Sequence, residues 1–320
     1  MSPLATVGIL SIGEMGMGIA KLLVAHNYRV VTNLEGRSQD SHDRAKNASV
    51  EVLPSDLSLV TASDYILSIV PPRDAMSTAV RISTAFNAQS SPKPTPLYFL
   101  DLNAISPHSA RSIAELISSE SPNIKFLDGG IIGGAPKTTS STPPTWSKPS
   151  VPISGSIAQV PATYTHLAET LNIKHISDDV GVASGLKCCF ATTTKGFTAL
   201  CIQAFTTASN LGVLPNLLEE MENRTPGMVK KARGGVTGMP PKAYRWVKEM
   251  EEISETHAKD GGFESVGAGL FGEIAQVYKS VADDSVLGEE KTERRKRGLT
   301  IEDVAAAMGE GNAAKRKKSD

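Results

Sequence analysis

Two lysines stand out because they lie in a long stretch without other charges. From Gly181 to Leu218 the only charged residues are Lys187 and Lys195, in the segment GVASGLKCCFATTTKG and its continuation. An apolar setting disfavours the charged form of an amine and lowers its pKa, which suits a proton donor. A reaction that builds negative charge on an oxygen atom needs such a donor. The pattern therefore makes Lys187 a candidate for acid/base chemistry, with a lysine that extends its amine to solvent as the alternative.

Lys195 follows Lys187 by eight residues. At roughly 100° per residue of helix, it lies two turns on and about 80° around, so both amines could border one cleft. We expect Lys195 to contact the substrate or to serve the structure without acid/base duty.

A glycine-rich turn near the start of the chain suggests a nucleotide site. The segment VGILSIGEMGMGIAKLL places a strand, a tight turn and a helix in succession, which is the context of dinucleotide binding. N–H groups at the start of that helix would face a pyrophosphate. Ser11 replaces the first glycine of the G-x-G-x-x-G pattern, and a turn that only packs helix on sheet is the alternative. The predicted cofactor contacts here are Ser11, Ile12, Gly13, Glu14, Met15 and Gly16.

The end of the second predicted strand indicates which dinucleotide binds. A carboxylate about 20 residues beyond the turn would bind a ribose 2′-OH. Asn33 stands there instead, and Arg37 with Ser38 follows, a pair suited to a 2′-phosphate. We therefore predict NADP(H) as the cofactor, while the nearby Glu35 leaves NAD(H) open. Two further predicted cofactor contacts, at the end of the strand near residue 70, are Val70 and Pro71.

Short β-rich runs alternate with helical patterns through the first part of the chain. That rhythm predicts an α/β domain, a Rossmann-type doubly wound parallel sheet, over residues 1–178. The helical pattern that follows predicts an all-helical domain over residues 179–288. Residues 136–152 are rich in Pro, Ser and Thr and predict a loop, which Trp146 would pack against the protein. The predicted strands are Thr6–Leu10, Tyr28–Asn33, Asp64–Val70, Leu97–Leu102 and Ile124–Gly129.

Residues 289–320 differ from the rest in their charge. Oppositely charged residues four apart, such as Glu290 and Arg294, predict a solvated helix. Thr300 followed by Asp303 predicts a helix N-cap. The basic end, AAKRKKSD, is typical of a frayed tail, with a nuclear-localisation patch as the alternative.

The bulk composition is that of an ordinary globular enzyme. The chain has 320 residues, a net charge of −1 and 40% hydrophobic residues, which indicates neither nucleic acid nor a membrane as a partner. The apolar runs are too short to span a bilayer and the N-terminus lacks a signal pattern, so we expect a cytoplasmic protein. The three cysteines lack disulfide or metal-ligand spacing, so we predict packed thiols and no metal site.

Together these motifs resemble the β-hydroxyacid dehydrogenase superfamily, which includes 6-phosphogluconate and 3-hydroxyisobutyrate dehydrogenases. The likeness covers about residues 5–280. IGEMGMGIAKLL is similar to the superfamily's opening turn and helix, DLNAISP to a strand-end element, DGGIIGGAP to its substrate loop, and GVASGLKCCFATTTKG to the helix with its catalytic lysine. DGGIIGG, ASGLK…TKG and RWVKEMEEI resemble a subgroup whose 6-phosphogluconate-dehydrogenase-like C-terminal domain is of unknown function.

The resemblance implies a role for each matching position. Lys187 would donate and accept the proton of the substrate hydroxyl, and Asn103 would lie near the nicotinamide and the substrate. The backbone N–H groups of Gly133 and Gly134 would hold a carboxylate or a similar oxyanion. The implied contacts with a small-molecule substrate are Ile132, Gly133, Gly134, Ala191, Lys195, Lys248 and Glu249.

Two departures from the superfamily bear on the substrate. Ile132 replaces a serine of the loop, and Ala191 replaces an asparagine after the lysine. Losing these polar anchors favours a bulkier or more apolar carbonyl compound over a short hydroxy acid.

Three functions fit these residues. The leading hypothesis is an NADP-dependent oxidoreductase that interconverts a hydroxyl and a carbonyl. One alternative is an imine reductase, although such relatives generally lack the lysine. Another is a nucleotide-binding regulator or scaffold without catalysis, which Ser11, Ile132 and Ala191 would suit. The resemblance also implies a homodimer.

Overall fold

The computed structural model describes residues 2–91, 94–141, 144–264 and 267–319 and divides into two compact units, Met1–Cys188 and Cys189–Asp320. The sequence pattern predicts a boundary after residue 178, which is earlier in the chain. The difference arises because N–H groups of Gly181, Ala183 and Ser184 are hydrogen-bonded to the sheet of the first unit.

An eight-stranded sheet forms the centre of the first unit. Its strands are β1 (Thr6–Leu10), β2 (Arg29–Asn33), β3 (Glu51–Leu53), β4 (Tyr65–Ser68), β5 (Leu97–Asp101), β6 (Ile124–Gly129), β9 (Val151–Ser154) and β10 (Ile173–Ser177). Their order is β10-β9-β6-β5-β4-β1-β2-β3, and neighbours are parallel except β6 and β9. The predicted α/β class is confirmed. The sequence pattern omits the two edge strands, β3 and β10, and also the interior strand β9.

Apolar layers cover both faces of the sheet. The helices of this unit are α1 (Glu14–Ala25), α2 (Gln39–Asn47), α3 (Asp56–Ala62), α4 (Ala75–Asn87), α5 (Pro107–Glu120), α6 (Thr163–Leu171) and the beginning of α7 (Val182–Ala191). Neighbouring strand residues face opposite layers: Ile9 packs with α1 and α6, and Leu10 packs with α3, α4 and α5. A sheet buried on both faces needs continuous apolar strands, which is why β1 and β6 are readable from sequence.

Residues 137–141 and 144–147 form two paired strands instead of the predicted loop. Antiparallel strands β7 (Lys137–Ser141) and β8 (Pro144–Ser147) pair with each other, and the predicted loop also includes residues 142–143, outside the described ranges. The Pro, Ser and Thr content suggests a loop, but a two-stranded hairpin pairs through its backbone and tolerates proline at a strand start. Trp146 packs half-buried on the apolar layer of α1, which confirms that this segment packs against the protein.

The regular elements of the second unit, within its described residues, are helices. A π-helical turn (Thr192–Gly196) continues from α7 and is followed by α8 (Phe197–Asn210), α9 (Leu214–Arg224), α10 (Pro226–Gly238), α11 (Ala243–Lys259), α12 (Gly267–Asp283) and α13 (Ile301–Ser319). Trp246 of α11 meets Tyr278 of α12 edge-on, with ring centres 5.1 Å apart, in the core of this unit. No helix in the described ranges is long and apolar enough to cross a membrane.

The charged run before α13 is a folded turn and not the predicted solvated helix. The Glu290 carboxylate accepts hydrogen bonds from the N–H groups of Lys296, at 2.7 Å, and Arg297, at 3.1 Å. This carboxylate satisfies backbone groups that a helix would pair internally, so the i,i+4 pattern does not lead to a helix here. The predicted cap is confirmed, because the Asp303 N–H donates to Thr300 Oγ1 at 3.1 Å. Helix α13 continues into the basic end that the sequence predicts as a frayed tail.

Candidate active site

The turn between β1 and α1 has the shape that a dinucleotide-binding turn requires. Ser11, at the first fingerprint position, has φ +77°, in the region that favours glycine. A side chain at Gly16 would collide with the carbonyl oxygen of Ser11. A side chain at Gly13 would meet nothing within 4 Å, so the space in front of the helix is open. Because α1 begins at Glu14, its first N–H groups face this open space, where a pyrophosphate would fit.

Helix α1 also contacts the predicted substrate loop. A Cβ at Gly18 would lie 3.0 Å from Ala135 Cβ and 3.0 Å from Pro136 Cδ. The glycine therefore lets the end of the loop approach the helix closely. The cofactor turn and the substrate loop adjoin one another within the first unit.

The predicted 2′-phosphate pair lies on a turn between β2 and α2. The Arg37 N–H donates to the Leu34 carbonyl at 3.0 Å, and Gly36 between them has φ +69°. Arg37 and Ser38 are both exposed, so both side chains are available to a cofactor phosphate.

Asn33, in contrast, is held by the protein itself. Its Nδ2 donates to Asp56 Oδ1 at 2.9 Å, and its Oδ1 accepts from the Glu35 N–H at 2.9 Å. The Asn33 amide therefore stabilises the end of β2, in addition to any contact that it makes with a cofactor ribose.

Arg44 of α2 reaches the same region and was not predicted. Its Nε donates to the Ile12 carbonyl of the phosphate turn at 2.6 Å, and its Nη2 donates to Ser41 Oγ at 3.3 Å. Only the tertiary fold reveals this contact, because Arg44 stands in a polar helix of mixed charge.

Asn103 ties together the ends of two neighbouring strands. Its Oδ1 accepts from the Val70 N–H at 2.7 Å, and its Nδ2 donates to Ser68 Oγ at 3.0 Å. Asn103 is buried, whereas Pro71 is half-buried and precedes a short 3-10 turn (Pro72–Asp74). Val70 and Asn103 thus meet at the carboxyl ends of β4 and β5, the edge where doubly wound sheets bind ligands.

Lys187 lies on α7 against the start of the substrate loop. Its aliphatic stem covers Gly130, where a Cβ would come within 2.9 Å of Lys187 Cβ. Its Nζ donates a hydrogen bond to the carbonyl oxygen of Ile131. The half-buried amine is therefore held next to the loop that carries Gly133 and Gly134.

The loop presents backbone groups beside that amine. Ile132 is fixed by reciprocal hydrogen bonds with Ser150, at 2.8 and 2.9 Å. Gly133 has φ +130°, and a Cβ there would lie 3.2 Å from Pro149 Cα. Gly133 and Gly134 are exposed, and no described residue accepts a hydrogen bond from their N–H groups. Two such N–H groups can hold an oxyanion.

Two buried carboxyl groups at the same strand ends were not predicted to be functional. Asp101 and Asp128 are register partners on β5 and β6, and each directly follows apolar residues, YFL or FL, which is the signal that could have shown them. Burial raises the pKa of Asp101 to about 7, opposed by the Asn103 N–H and reinforced by Asp128. Burial also raises the pKa of Asp128, opposed chiefly by hydrogen bonds from Ser184.

In the helical unit, Lys195 and Glu249 come together. Lys195 lies in the π-helical turn, a feature frequent at functional sites. Its Nζ forms an ion pair with the buried carboxylate of Glu249 and lies 4.9 Å from the centre of the Trp246 ring. The charge of Lys195 is therefore balanced within its own unit.

Lys248 and Ala191 do not belong to that pair. Lys248 Nζ instead lies 3.2 Å from both Glu251 Oε2 and Glu252 Oε1, so it faces another side of α11. Ala191 is buried and offers no polar group to a ligand.

Comparison with known families agrees with this geometry. Residues 6–142 match the NAD binding domain of 6-phosphogluconate dehydrogenase. Residues 208–281 match a domain of unknown function, DUF1932. The two matches cover about two thirds of the chain and pair the same two domain types that the motifs indicate. Residues 6–142 are therefore an NAD-binding domain of the 6-phosphogluconate dehydrogenase type.

Relatives and solved structures resemble the chain over most of its length. An uncharacterized 28.5 kDa protein of Methanothermus fervidus is 26% identical over 251 residues, covering 78% of this chain and 89% of that protein. The Mycobacterium tuberculosis 3-hydroxyisobutyrate dehydrogenase is 18% identical, with TM-score 0.62 and coverage of 96% and 99% of the two chains. A Myxococcus stipitatus imine reductase in complex with NADP+ is 16% identical, with TM-score 0.51 and coverage of 86% and 94%. The structures share the fold.

The family match explains the arrangement of the first unit. An NAD-binding domain holds a nicotinamide dinucleotide, and the open turn in front of α1 is the part of this chain that would hold it. Ser11 keeps the backbone shape of the missing glycine, so this departure does not remove the turn.

Proposed function

We propose that the protein is an NADP(H)-dependent oxidoreductase that interconverts a hydroxyl and a carbonyl, with Lys187 as acid and base. The observation that carries the proposal is the position of the Lys187 amine, hydrogen-bonded to Ile131 O beside the exposed N–H groups of the substrate loop. A proton donor and oxyanion donors adjoin there within one nucleotide-binding unit, as carbonyl reduction requires.

The protein's own groups would divide the work of reduction. A bound nicotinamide supplies the hydride. Lys187 gives a proton to the carbonyl oxygen as negative charge develops on it, and takes one from the hydroxyl in the reverse direction. Gly133 and Gly134 hold a carboxylate or another oxyanion of the substrate through their N–H groups. Asn103 keeps the two strand ends together where the nicotinamide and the substrate would meet.

The substrate class follows from the departures. Ile132 and Ala191 place apolar groups where the superfamily has polar anchors, and Lys195 already pairs with Glu249. The polar partners that a short hydroxy acid would need are therefore missing at the first two positions. A phosphate group of a substrate would have to compete with Glu249 for the Lys195 amine. A bulkier carbonyl compound, with one anionic or polar group for the loop, is the proposed substrate.

The test is turnover by Lys187→Met. A panel of bulky and short ketones, aldehydes and hydroxy acids is assayed with NADPH and NADH, and the best compound is used for the variant. Loss of kcat by roughly 100-fold or more, with NADPH affinity unchanged, supports acid/base duty. Lys148→Met is the matched control, because Lys148 also donates to a backbone carbonyl, that of Glu169, at 3.2 Å. Unchanged kcat in Lys187→Met would refute the assignment.

Imine reduction is the second candidate, because the fold is shared with an imine reductase. Cyclic imines added to the same panel separate the two functions. Turnover of imines alone, insensitive to Lys187→Met, favours an imine reductase. NADPH binding without turnover of any compound favours a regulator or scaffold.

We further propose a homodimer built on the helical unit. Leu200 and Leu211 of the α8 region are 55% and 71% exposed, and Ala204 between them is also exposed. Their spacing of four and seven residues forms one apolar stripe, which a second copy would cover. A cytoplasmic location stays a prediction from the sequence.

A further inference from the structure

We infer that Asp128 is a positioning residue for the reaction: its carboxylate caps the first turn of α7 and thereby fixes where the Lys187 amine lies. The inference rests on the proposed function, in which Lys187 is the proton donor. Asp128 would touch neither substrate nor cofactor, and its effect would pass through the helix.

The first step is the cap itself. Asp128 Oδ2 accepts hydrogen bonds from the N–H groups of Gly181 and Ser184, both at 3.0 Å, and Oδ1 accepts from the Ser184 hydroxyl. These are donors that a helix start leaves without internal partners. A carboxylate from the sheet therefore takes the place that an N-cap side chain of the helix itself would fill.

The second step is the support for that carboxylate. Ser154 of the neighbouring strand donates to Asp128 Oδ2 at 2.8 Å, and its own Oγ accepts from the Ala183 N–H at 3.1 Å. Asp128 and Ser154 are fully buried register partners. A buried negative charge is stabilised by such donors and by the positive end of the helix dipole. The cap is thus rigid, and it joins both strands to α7.

The third step connects the cap to the lysine. Ser184 and Lys187 are three residues apart on α7 and so share one face of the helix. On the segment that faces this helix, Asp128 and Gly130 are two residues apart. The chain from Asp128 to Ile131 meets the chain from Ser184 to Lys187 twice, once at the cap and once at the lysine stem and amine. These two contacts together restrict the positions that the Lys187 amine can take.

The decisive comparison is Asp128→Ala with Asp128→Asn. Alanine removes the cap, whereas asparagine keeps an acceptor oxygen for the two N–H groups and can donate to Ser184 Oγ while losing the charge. The full-length protein is reductively methylated with 13C-formaldehyde, and Lys187→Arg identifies the Lys187 signal. We expect the chemical shift and titration midpoint of that signal to match in wild type and Asp128→Asn and to move in Asp128→Ala.

Activity gives a second readout once a substrate is found. Asp128→Ala should lower kcat roughly tenfold or more with NADPH affinity retained, because small misplacements of a catalytic group are costly. Asp128→Asn should restore most of that loss. Ser83→Ala is the structural control: it removes a buried hydroxyl that bonds Ser121 Oγ at 2.8 Å, and should lower stability without moving the Lys187 signal.

Two outcomes would overturn the inference. An unmoved Lys187 signal in Asp128→Ala shows that the cap does not position the amine, and an equal movement in Asp128→Asn shows that charge acts in place of geometry. Where Asp128→Ala fails to fold, Ser184→Ala serves, with a smaller shift expected in the same direction and no shift counting against the inference. The NMR signal needs no substrate, so this failure is distinct from continued turnover by Lys187→Met.

Discussion

At the scale of single residues, the buried polar groups at the strand ends of the first unit differ in how well hydrogen bonds satisfy them. Asp101, Asn103 and Asp128 are all nearly inaccessible to solvent. Hydrogen bonds satisfy Asn103 and Asp128, but Asp101 Oδ2 has no hydrogen-bond partner among the described residues. An ionised carboxylate with one bare oxygen is costly, so Asp101 favours its protonated form.

Asp101→Asn should therefore flatten the pH dependence of stability. Burial raises the pKa of Asp101 from 3.8 to about 7 in the folded protein. Between those values the folded state binds more protons than the unfolded chain, so stability falls as pH rises. From pH 5 to 7 the loss is about 2 kcal/mol. Urea unfolding at pH 5, 6, 7 and 8 measures the free energy of unfolding of wild type and variant. Asp128 remains in both proteins, so equal slopes for wild type and variant would contradict an elevated Asp101 pKa.

Arg37→Glu should shift the cofactor preference from NADPH toward NADH. The exposed guanidinium beside Ser38 suits a 2′-phosphate, whereas glutamate would repel the phosphate and accept from a 2′-OH. We expect the NADPH Kd to rise roughly tenfold or more, equivalent to about 1.4 kcal/mol, without a matching rise for NADH. Fluorescence titration of both cofactors measures this. Arg224→Glu, an exposed arginine of α9, is the control, and equal weakening of both cofactors would exclude Arg37 as the selecting residue.

At the scale of elements, readable strands are those buried on both faces. β1 and β6 match the predicted bounds fully, and β5 differs by one residue, because continuous apolar runs mark such strands. The edge strands β3 and β10 are exposed on one side and mix polar with apolar residues, so no run marks them. The buried strand β9 is the exception, because it begins within the Pro-, Ser- and Thr-rich stretch that predicts a loop. The β7–β8 hairpin pairs through backbone groups, on which side-chain composition carries no information.

Two glycines within helices, one in α1 and one in α10, allow a prediction about how an element packs. Gly18→Ala places a methyl group 3.0 Å from Ala135 and Pro136, whereas Gly234→Ala of α10 places one where nothing lies within 4 Å. Alanine favours a helix over glycine by about 1 kcal/mol. We expect Gly234→Ala to raise the unfolding midpoint and Gly18→Ala to lower it and to weaken NADPH binding, because the loop must retreat from α1. Stabilisation by both substitutions would show that the loop approach is not tight.

At the scale of the whole molecule, the two fold classes were predictable and the exact division was not. Motifs with fixed spacing, such as the glycine turn and the lysine helix, predict Gly13 and Lys187 as site residues. The boundary depends on contacts between Asp128 and Ser184, which are 56 residues apart in the chain. Local sequence patterns carry no information on such distant pairs. Arg44 was not predicted for the same reason, because its contact with the Ile12 carbonyl also joins distant parts of the chain.

Leu200→Glu should convert the proposed homodimer into monomers. The stripe of Leu200, Ala204 and Leu211 exposes apolar surface that water disfavours, and a charge within it cannot be buried against a second copy without a partner. Light scattering on a size-exclusion column should give twice the chain mass for wild type and the single mass for the variant. Leu57→Glu, on an exposed leucine of α3, should remain dimeric. A monomeric wild type, or a dimeric Leu200→Glu with unchanged dissociation constant, would show that this face of α8 is not the interface.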